Sequence, residues 1–265
     1  MTYFGFLLRF LIIPIALLAV LTYIDLRRKR QLPASLQFLS PWLLIGVLMV
    51  IALTYTTPWD NYLVATGVWW YDPALVTGIT LGWVPIEEYT FFILQPVMTG
   101  LWLLFLARRV RFAAPFQPRN GIRIGSAAVM GIVWVASVLL LLSGWKPGNY
   151  LSLELAWALP PIILQLAFGA DILWHYRRLV IPVILSATIY LCATDAIAIA
   201  SGTWTINPEL TTGILLGGLL PLEEATFFLI TNILLVFGLT LGMTSASFNR
   251  LPVKFLGGRI SRSNG

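Results

Sequence analysis

The most constraining feature of this sequence is a set of long apolar stretches that recur along its 265 residues. A helix needs about 20 apolar residues to cross the hydrocarbon core of a bilayer. Seven stretches reach that length, at residues 3–25, 38–57, 86–107, 123–143, 152–174, 179–201 and 222–243. Because these runs are continuous and do not alternate, they favour helices over the strands of a membrane barrel. We therefore predict an all-α integral membrane protein with about seven transmembrane helices.

The composition agrees with a chain built for lipid. Hydrophobic residues make up 58% of the sequence and charged residues 11%, and the mean hydropathy is +0.86. Soluble domains carry about 25% charged residues, so a soluble globular class is excluded. Cys192 is the only cysteine, which excludes a disulfide within the chain and any metal site made of several cysteines.

The net charge of +6 reflects membrane topology and does not indicate a nucleic-acid partner. All lysines and arginines except Arg9 and Lys146 fall in four segments, at residues 27–30, 108–123, 177–178 and 250–262. Seven helices put these four segments on one side of the membrane, which the positive-inside rule identifies as the cytoplasm. We therefore predict a multi-pass protein of the cell membrane, in contact with lipid, with an extracytoplasmic N-terminus and a cytoplasmic C-terminus.

An internal repeat relates the two ends of the chain. Residues 60–82 match residues 195–217 at a constant offset of 135, and after one inserted residue Pro85-Ile-Glu-Glu-Tyr-Thr-Phe-Phe matches Pro221-Leu-Glu-Glu-Ala-Thr-Phe-Phe. This pattern predicts two repeats of three spans each. The predicted division is a first repeat at 1–110, a linker with an extra transmembrane helix at 111–150, a second repeat at 151–245 and a basic cytoplasmic tail at 246–265.

The number of spans predicts how the repeats are related. Three spans and one linker helix make an even number, so both repeats enter the membrane in the same direction, related by a pseudo-twofold axis along the membrane normal. Asp72-Pro73 and Asn207-Pro208 are typical of a helix N-cap followed by proline at the first helical position. About ten residues come next, too few to span the bilayer. We therefore predict a short broken or re-entrant helix before the third span of each repeat.

Paired glutamates are the candidate catalytic residues. Pro85 and Pro221 restart the helices and frame the pairs, which fall in the first turns of the third spans: Glu87, Glu88, Glu223 and Glu224. Single first-turn acids would be explained by the helix dipole, but two adjacent acids that recur inside apolar runs indicate a functional site. Facing across the pseudo-twofold axis, they would form one composite site. Either Glu87 with Glu223 or Glu88 with Glu224 could meet there.

The chemistry of such a site would be proton transfer beside aromatic rings. A helix N-terminus favours the charged form of a carboxyl, whereas burial and a neighbouring acid favour the protonated form. Together they can make one carboxyl of a pair a proton donor and the other an acceptor at the same pH. The candidate substrate-binding residues follow each pair by three to five positions: Phe91, Phe92, Phe227 and Phe228. Aromatic faces stabilise cations, so acid, base and rings together suit carbocation chemistry on a hydrocarbon.

Several other site types lack their sequence signals. No G-x-G-x-x-G motif follows a strand pattern, and no aspartate-rich pair indicates a magnesium diphosphate site. We therefore expect no cofactor and no metal. A proton-coupled transporter is the alternative, because broken helices, duplicated halves and intramembrane acids also occur in transporters.

The twice-repeated Pro-x-Glu-Glu motif, in a duplicated three-span unit without flavin motifs, resembles the small membrane lycopene cyclase family of carotenoid biosynthesis. The resemblance covers nearly the whole chain and is to the fused form of the family. It implies redox-neutral cyclisation of the linear ends of lycopene, most commonly to β-rings, giving β-carotene through γ-carotene. It also implies that Glu87, Glu88, Glu223 and Glu224 are the signature residues. One departure is Tyr89, which becomes Ala225 in the second repeat.

The sequence leaves some choices open. The β- and ε-ring products differ in which carbon loses a proton, and a longer or modified carotenoid would use the same motif. Other carotenoid enzymes and a second copy of this chain are both open as partners.

Overall fold

The computed structural model describes residues 1–111 and 115–250. Within these residues, seven helices are long and apolar enough to cross a membrane. They are α1 (Tyr3–Arg27), α2 (Pro41–Ala65), α3 (Ile86–Ala107), α4 (Asn120–Leu142), α5 (Asn149–His175), α6 (Arg177–Ala200) and α7 (Leu222–Met243). The predicted all-α membrane architecture is confirmed. Short 3-10 turns precede α2 and α5, at Ala34–Leu36 and Lys146–Gly148, and a short helix α8 (Ser245–Phe248) follows α7.

Helices α3 and α7 form the centre of the bundle. More than half of their apolar windows is buried, whereas α4 is almost entirely exposed on its outer face. Helix α3 contacts α1, α2, α6 and α7, and α7 also contacts α5. Helix α4 packs against α5. The paired glutamates at the start of α3 and α7 therefore lie in the most enclosed part of the protein.

Helix α2 is longer than the predicted span at 38–57. It continues through Pro58 to Ala65, although proline cannot donate the usual backbone hydrogen bond. The residues after the proline are packed into the core, since Trp59, Asp60 and Leu63 are buried. Tertiary packing therefore extends the helix past the predicted end of the span.

The predicted re-entrant helices are wrong, because the structure has β-hairpins in their place. In the first half, β1 (Trp69–Tyr71) is followed by the hairpin of β2 (Thr80–Leu81) and β3 (Val84–Pro85). In the second half, β4 (Trp204–Ile206) is followed by β5 (Leu215–Leu216) and β6 (Leu220–Pro221).

The physical reason lies in the turn residues. Asp72 and Asn207 do accept the capping hydrogen bonds expected of them, but only a 3-10 turn, Pro208–Leu210, comes after the cap in the second half. Gly82 turns the first hairpin with φ of +70°, and an added Cβ would collide with the side-chain oxygen of Asn61. A left-handed glycine ends helical geometry, so the chain returns as a hairpin.

One strand pair joins the two halves of the chain. Strands β1 and β4 are antiparallel, with Trp69 opposite Ile206 and Tyr71 opposite Trp204. The backbone N–H of Asn207 donates to Val68 O at 2.8 Å, and that of Asp72 donates to Thr203 O at 3.3 Å. The two bonds are equivalent in the repeat, because at the offset of 135 Asp72 matches Asn207 and Val68 matches Thr203. A local twofold axis therefore passes through the centre of this ribbon. We call the end of the bundle that carries β1–β6 the hairpin end.

The opposite end, here called the basic end, has an ion pair in each half. Asp25 at the end of α1 binds Arg109 just after α3, at 2.7 Å, and Asp171 near the end of α5 binds Arg250 at 2.5 Å. Each pair ties the first helix of a half to the chain beyond its last helix. Of the basic tail predicted at 246–265, residues 251–265 lie outside the described residues.

Candidate active site

Glu87 and Glu223 hold the loops of the hairpin end. Glu87 Oε1 accepts a hydrogen bond from the backbone N–H of Thr77 at 2.7 Å, and Glu223 Oε1 accepts one from Thr212 at the same distance. Both glutamates are buried. The same bond therefore anchors equivalent loop positions in the two halves.

Glu88 and Glu224 instead meet at a single cavity. The cavity lies at the hairpin end of the bundle, and a third carboxyl, Asp195 of α6, also lines it. Its remaining walls are aromatic: the first half supplies Tyr3, Phe6, Trp69, Tyr71 and Phe91, and the second half supplies Trp204, Phe227 and Phe228. The structure thus brings together one glutamate of each predicted pair.

Two phenols hold Glu88 in place. Its Oε2 accepts hydrogen bonds from the hydroxyls of Tyr3, at 2.5 Å, and Tyr71, at 3.0 Å. Tyr71 lies in β1, outside the membrane helices, and burial together with the charge of Glu88 raises its pKa well above the ordinary value. Tyr71 therefore stays protonated and can donate to Glu88 at any ordinary pH.

Glu224 and Asp195, both from the second half, line the same cavity. Glu224 Oε1 accepts a hydrogen bond from Tyr150 at 2.8 Å, and Asp195 Oδ1 accepts one from the indole N–H of Trp204 at 3.1 Å. Asp195 Oδ2 is buried and has no hydrogen-bond partner among the described residues. Asp195 also interacts electrostatically with both Glu224 and Glu88. A proton can therefore be shared within one small group of carboxyls.

Asp60 is the counterpart of Asp195 in the first half, but its surroundings differ. It is buried on α2, and within residues 1–111 and 115–250 neither carboxyl oxygen has a hydrogen-bond partner. Trp69, the counterpart of Trp204, does not bond it: its indole N–H is likewise unpaired in the described part of the chain. The cavity lining includes Asp195 and not Asp60.

The predicted phenylalanines separate into two groups. Phe91, Phe227 and Phe228 line the cavity, and Phe91 contacts Phe228 across the two halves with ring centroids 6.3 Å apart. Phe92 is buried beside Tyr89, at 6.0 Å between ring centroids. Three of the four rings therefore face the carboxyls.

Tyr89 and the two prolines support the loops around the cavity. The hydroxyl of Tyr89 donates to Leu81 O at 2.8 Å and accepts from the Asn61 side chain at 2.9 Å. Its replacement by Ala225 therefore changes loop anchoring and not the cavity wall. Pro85 and Pro221 are buried at the ends of β3 and β6 and directly precede α3 and α7.

Sequence reasoning missed the residues that position the carboxyls: Tyr3, Tyr71, Tyr150, Asp195 and Trp204. A signal exists for Asp195, because the repeat aligns it with Asp60, but on sequence alone structural hydrogen bonding is the simpler interpretation. Tyr3 and Tyr150 lie near the starts of α1 and α5, before the repeat becomes recognisable in the sequence. Their shared role cannot be seen from spacing.

The cavity has the groups needed to move protons and to shelter a cation. Carboxyls hydrogen-bonded by phenol and indole donors can release and accept protons, and aromatic faces attract positive charge. Among the residues that the structure describes, no group of three or more His, Cys, Asp or Glu could hold a metal ion.

Comparisons with known proteins point to one family. The sequence model of the family described as lycopene cyclase matches residues 2–106 and 148–242. A lycopene beta-cyclase of Halobacterium salinarum is 43% identical over 198 residues, covering 74% of this chain and 81% of that protein. A bifunctional lycopene cyclase/phytoene synthase of Podospora anserina is 36% identical, covering 75% of this chain and 35% of the fungal protein. No solved structure matches the chain. This chain belongs to the lycopene cyclase family.

Proposed function

We propose that the chain is a lycopene cyclase that closes the linear ends of lycopene into β-rings, giving β-carotene through monocyclic γ-carotene. The observation that carries this is the cavity in which Glu88, Glu224 and Asp195 face a wall of aromatic rings. The relatives' names, lycopene beta-cyclase and bifunctional lycopene cyclase/phytoene synthase, support the same reaction. Nothing in these comparisons supports the transporter alternative.

The reaction needs protons and no electrons. A carboxylic acid donates a proton to the terminal double bond of an end group, which leaves a tertiary carbocation. The next double bond of the chain attacks this cation and closes a six-membered ring, which moves the positive charge onto a ring carbon. A carboxylate then removes the proton from the adjacent ring carbon that bears the polyene chain, and the β-ring double bond forms. Substrate and product are isomers, so no oxidant or reductant is consumed.

Glu88 is the proton donor in this proposal. Releasing the proton leaves a carboxylate, and hydrogen bonds to a charged group stabilise it. Glu88 has two such donors, Tyr3 and Tyr71, on one oxygen. The phenols therefore stabilise negative charge when it develops, which lowers the barrier to protonating a hydrocarbon.

Glu224 and Asp195 accept the released proton in this proposal. Both line the cavity with Glu88, and Asp195 has an oxygen without a partner among the described residues. Phe91, Phe227 and Phe228 surround the cation between donor and acceptor and exclude water that would capture it. Glu87 and Glu223 act as positioning residues through their bonds to the loops.

The decisive experiment is pigment conversion. The chain is expressed in a lycopene-accumulating bacterial host, and is also purified into lipid vesicles that contain lycopene without flavin or nicotinamide. We expect cyclic carotenoid in both cases, with Glu88→Gln as the inactive control. Unchanged lycopene in the host would reject the proposed function, whereas conversion only after adding reduced flavin would reject the cofactor-free mechanism.

We also propose the orientation and organisation predicted from the charge pattern. The cell-membrane protein has its hairpin end outside and its basic end in the cytoplasm, and it consists of repeats 1–110 and 151–245 with a linker between them. An impermeant thiol reagent applied to intact cells tests the orientation in a Cys192→Ser background. We expect labelling at Ala74→Cys and protection at Gln31→Cys, two exposed positions at opposite ends. The reverse pattern would invert the topology.

A further inference from the structure

A mainly apolar groove lies on the same side of the bundle as the cavity lining of α1, α3 and α6, displaced toward the basic end. It has a volume of about 400 Å³ and lies on the side of the bundle where α1, α3 and α6 meet. Its floor is buried and comes from Met98, Thr99 and Ala187, while its rim includes the exposed side chains of Leu17 and Leu21. The groove is therefore open to the bilayer along its length and closed underneath.

The groove and the cavity share the same three helices. Helix α1 carries Tyr3 and Phe6 at the cavity, α3 carries Glu88 and Phe91, and α6 carries Asp195. Helices rise 1.5 Å per residue, so the groove residue Met98 lies about 10 Å beyond Phe91, and Ala187 lies about 12 Å beyond Asp195. On each helix the displacement is toward the basic end. The cavity and the groove therefore follow one another along the same three helices.

The junction between the two sections has an unusual backbone. A π-helical segment, Leu8–Ile12, interrupts α1 between its cavity residue Phe6 and its groove residue Pro14. Within it, Phe10 packs against Phe6 with ring centroids 5.3 Å apart, and its carbonyl accepts a hydrogen bond from Tyr190 of α6 at 2.9 Å. Single π-helical turns are frequent at functional sites. The junction is thus lined by rings and bridged by one hydrogen bond.

We infer that this groove binds the linear polyene chain of the substrate while one of its end groups reaches the carboxyls at the cavity. The inference rests on the proposed function. The substrate is a long, methyl-bearing apolar polyene with reacting groups only at its ends, so most of its length must lie outside a cavity that receives one end. The groove follows the cavity along the same three helices, is lined mainly by apolar side chains and runs along the bundle. Its occupant is therefore the part of the hydrocarbon that does not react.

The test is a separation of KM from kcat in lipid vesicles that contain lycopene. Ala187→Leu adds bulk to the groove floor, and Leu18→Trp does so from α1; both positions line the groove and lie far from the carboxyls. An extra methylene in an apolar site changes recognition by about tenfold or more. We expect each variant to raise the KM for lycopene by about tenfold while kcat changes much less.

A second groove provides the matched control. It has a volume of about 710 Å³ and lies between α4 and α5, lined in part by Gly131. A Cβ added at Gly131 would meet nothing within 4 Å, so Gly131→Leu fits without strain. We expect this variant to keep the wild-type KM, since the polyene does not reach that groove.

Each outcome decides the inference. An unchanged KM for lycopene in both groove variants would mean that only bilayer lipid covers the groove. A rise in the KM of Gly131→Leu equal to that of the groove variants would mean a general effect on how lycopene partitions into the membrane. If Ala187→Leu does not accumulate, the KM of Leu18→Trp alone decides between these outcomes. Failure of the wild-type chain to convert lycopene would reject the proposed function and with it lycopene as the occupant of the groove, an outcome distinct from active variants with an unchanged KM.

Discussion

The two halves of this protein share a scaffold and differ at the cavity. Both begin their last helix with two glutamates, and in both the first glutamate binds a loop N–H at 2.7 Å. The second glutamates have different surroundings. Glu88 is held by two phenols, whereas Glu224 has one phenol donor, Tyr150, in the described part of the chain. The position equivalent to Tyr71 is Ile206, which cannot donate.

The aspartates complete the contrast. In the second half Trp204 donates to Asp195 at the cavity wall, whereas Asp60 and Trp69 make no such bond in the first half. The first half therefore gives its glutamate two phenol donors, and the second half places both its glutamate and its aspartate in the cavity lining. Both aspartates interact electrostatically with Glu88 and Glu224. We propose that duplication supplied a symmetric frame and that substitution of a few side chains adapted each half to one of the two proton transfers. A reaction that adds one proton and removes another needs this kind of asymmetry.

The largest effect is expected for the glutamates that meet at the cavity. Glu88→Gln and Glu224→Gln should each lower kcat by about 10²–10⁴-fold, the usual contribution of a general acid or base. If the halves form one composite site, either change alone prevents cyclisation of both ends of lycopene. Pigment analysis gives the amounts of lycopene, monocyclic and bicyclic product.

The exposed acid Glu209 supplies the control for these changes, and Glu209→Gln should be as active as the wild type. If Glu88→Gln and Glu224→Gln each retained substantial cyclase activity, the two halves would work independently and the composite site would be wrong.

A smaller effect is expected for the aspartates, and it should differ between the halves. Asp195→Asn should lower kcat by about 10²-fold and change the ring type, because a cation without its proton acceptor loses a proton from another carbon. Asp60→Asn should change kcat by no more than a few-fold and should leave the ring type of the product unchanged. The ratio of β- to ε-rings, measured by chromatography, separates this role from a structural one. Equal losses in both variants, with wild-type ring type, would contradict the assignment of Asp195.

The smallest effect is expected for the phenol donors. Tyr71→Phe removes one of the two hydrogen bonds to Glu88, and a bond to a charged group contributes about 1.5–3 kcal/mol, or about 12- to 150-fold in rate. Because Tyr3 still donates to Glu88, we expect kcat to fall by the lower end of this range, about tenfold. Tyr3→Phe should behave similarly, and the double variant should lose more than either. Tyr62→Phe, at an exposed tyrosine, is the matched control. Full activity in the double variant would remove the phenols from the mechanism.

Much of the fold was accessible from the sequence because the hydrocarbon core imposes a minimum helix length. The seven spans and the position of the glutamates in the first turns of α3 and α7 are confirmed. The segments before those helices were not predictable from caps alone. Asp72 and Asn207 do cap, but glycine geometry and the pairing of β1 with β4 decide the structure of the next residues, and that pairing joins positions far apart in the chain.

The candidate site was only partly predictable for a similar reason. The repeat singled out the glutamates, yet it could not say which member of each pair faces the axis, because a few degrees of helix rotation decide it. Tyr3 and Tyr150 reach the carboxyls from other helices. Contacts of that kind depend on how helices pack against each other, and the spacing of residues within one motif does not determine that packing.

The ribbon of β1 and β4 has a consequence for how the protein meets its substrate. Main-chain hydrogen bonds between β1 and β4 join the two halves at the hairpin end, and Trp69, Tyr71 and Trp204 of this ribbon form part of the cavity wall. A hydrocarbon that is insoluble in water therefore has no reason to approach from that side. We expect supply and product release by lateral diffusion, so turnover would depend on the number of carotenoid molecules per unit area of bilayer and not on their amount per volume of cell.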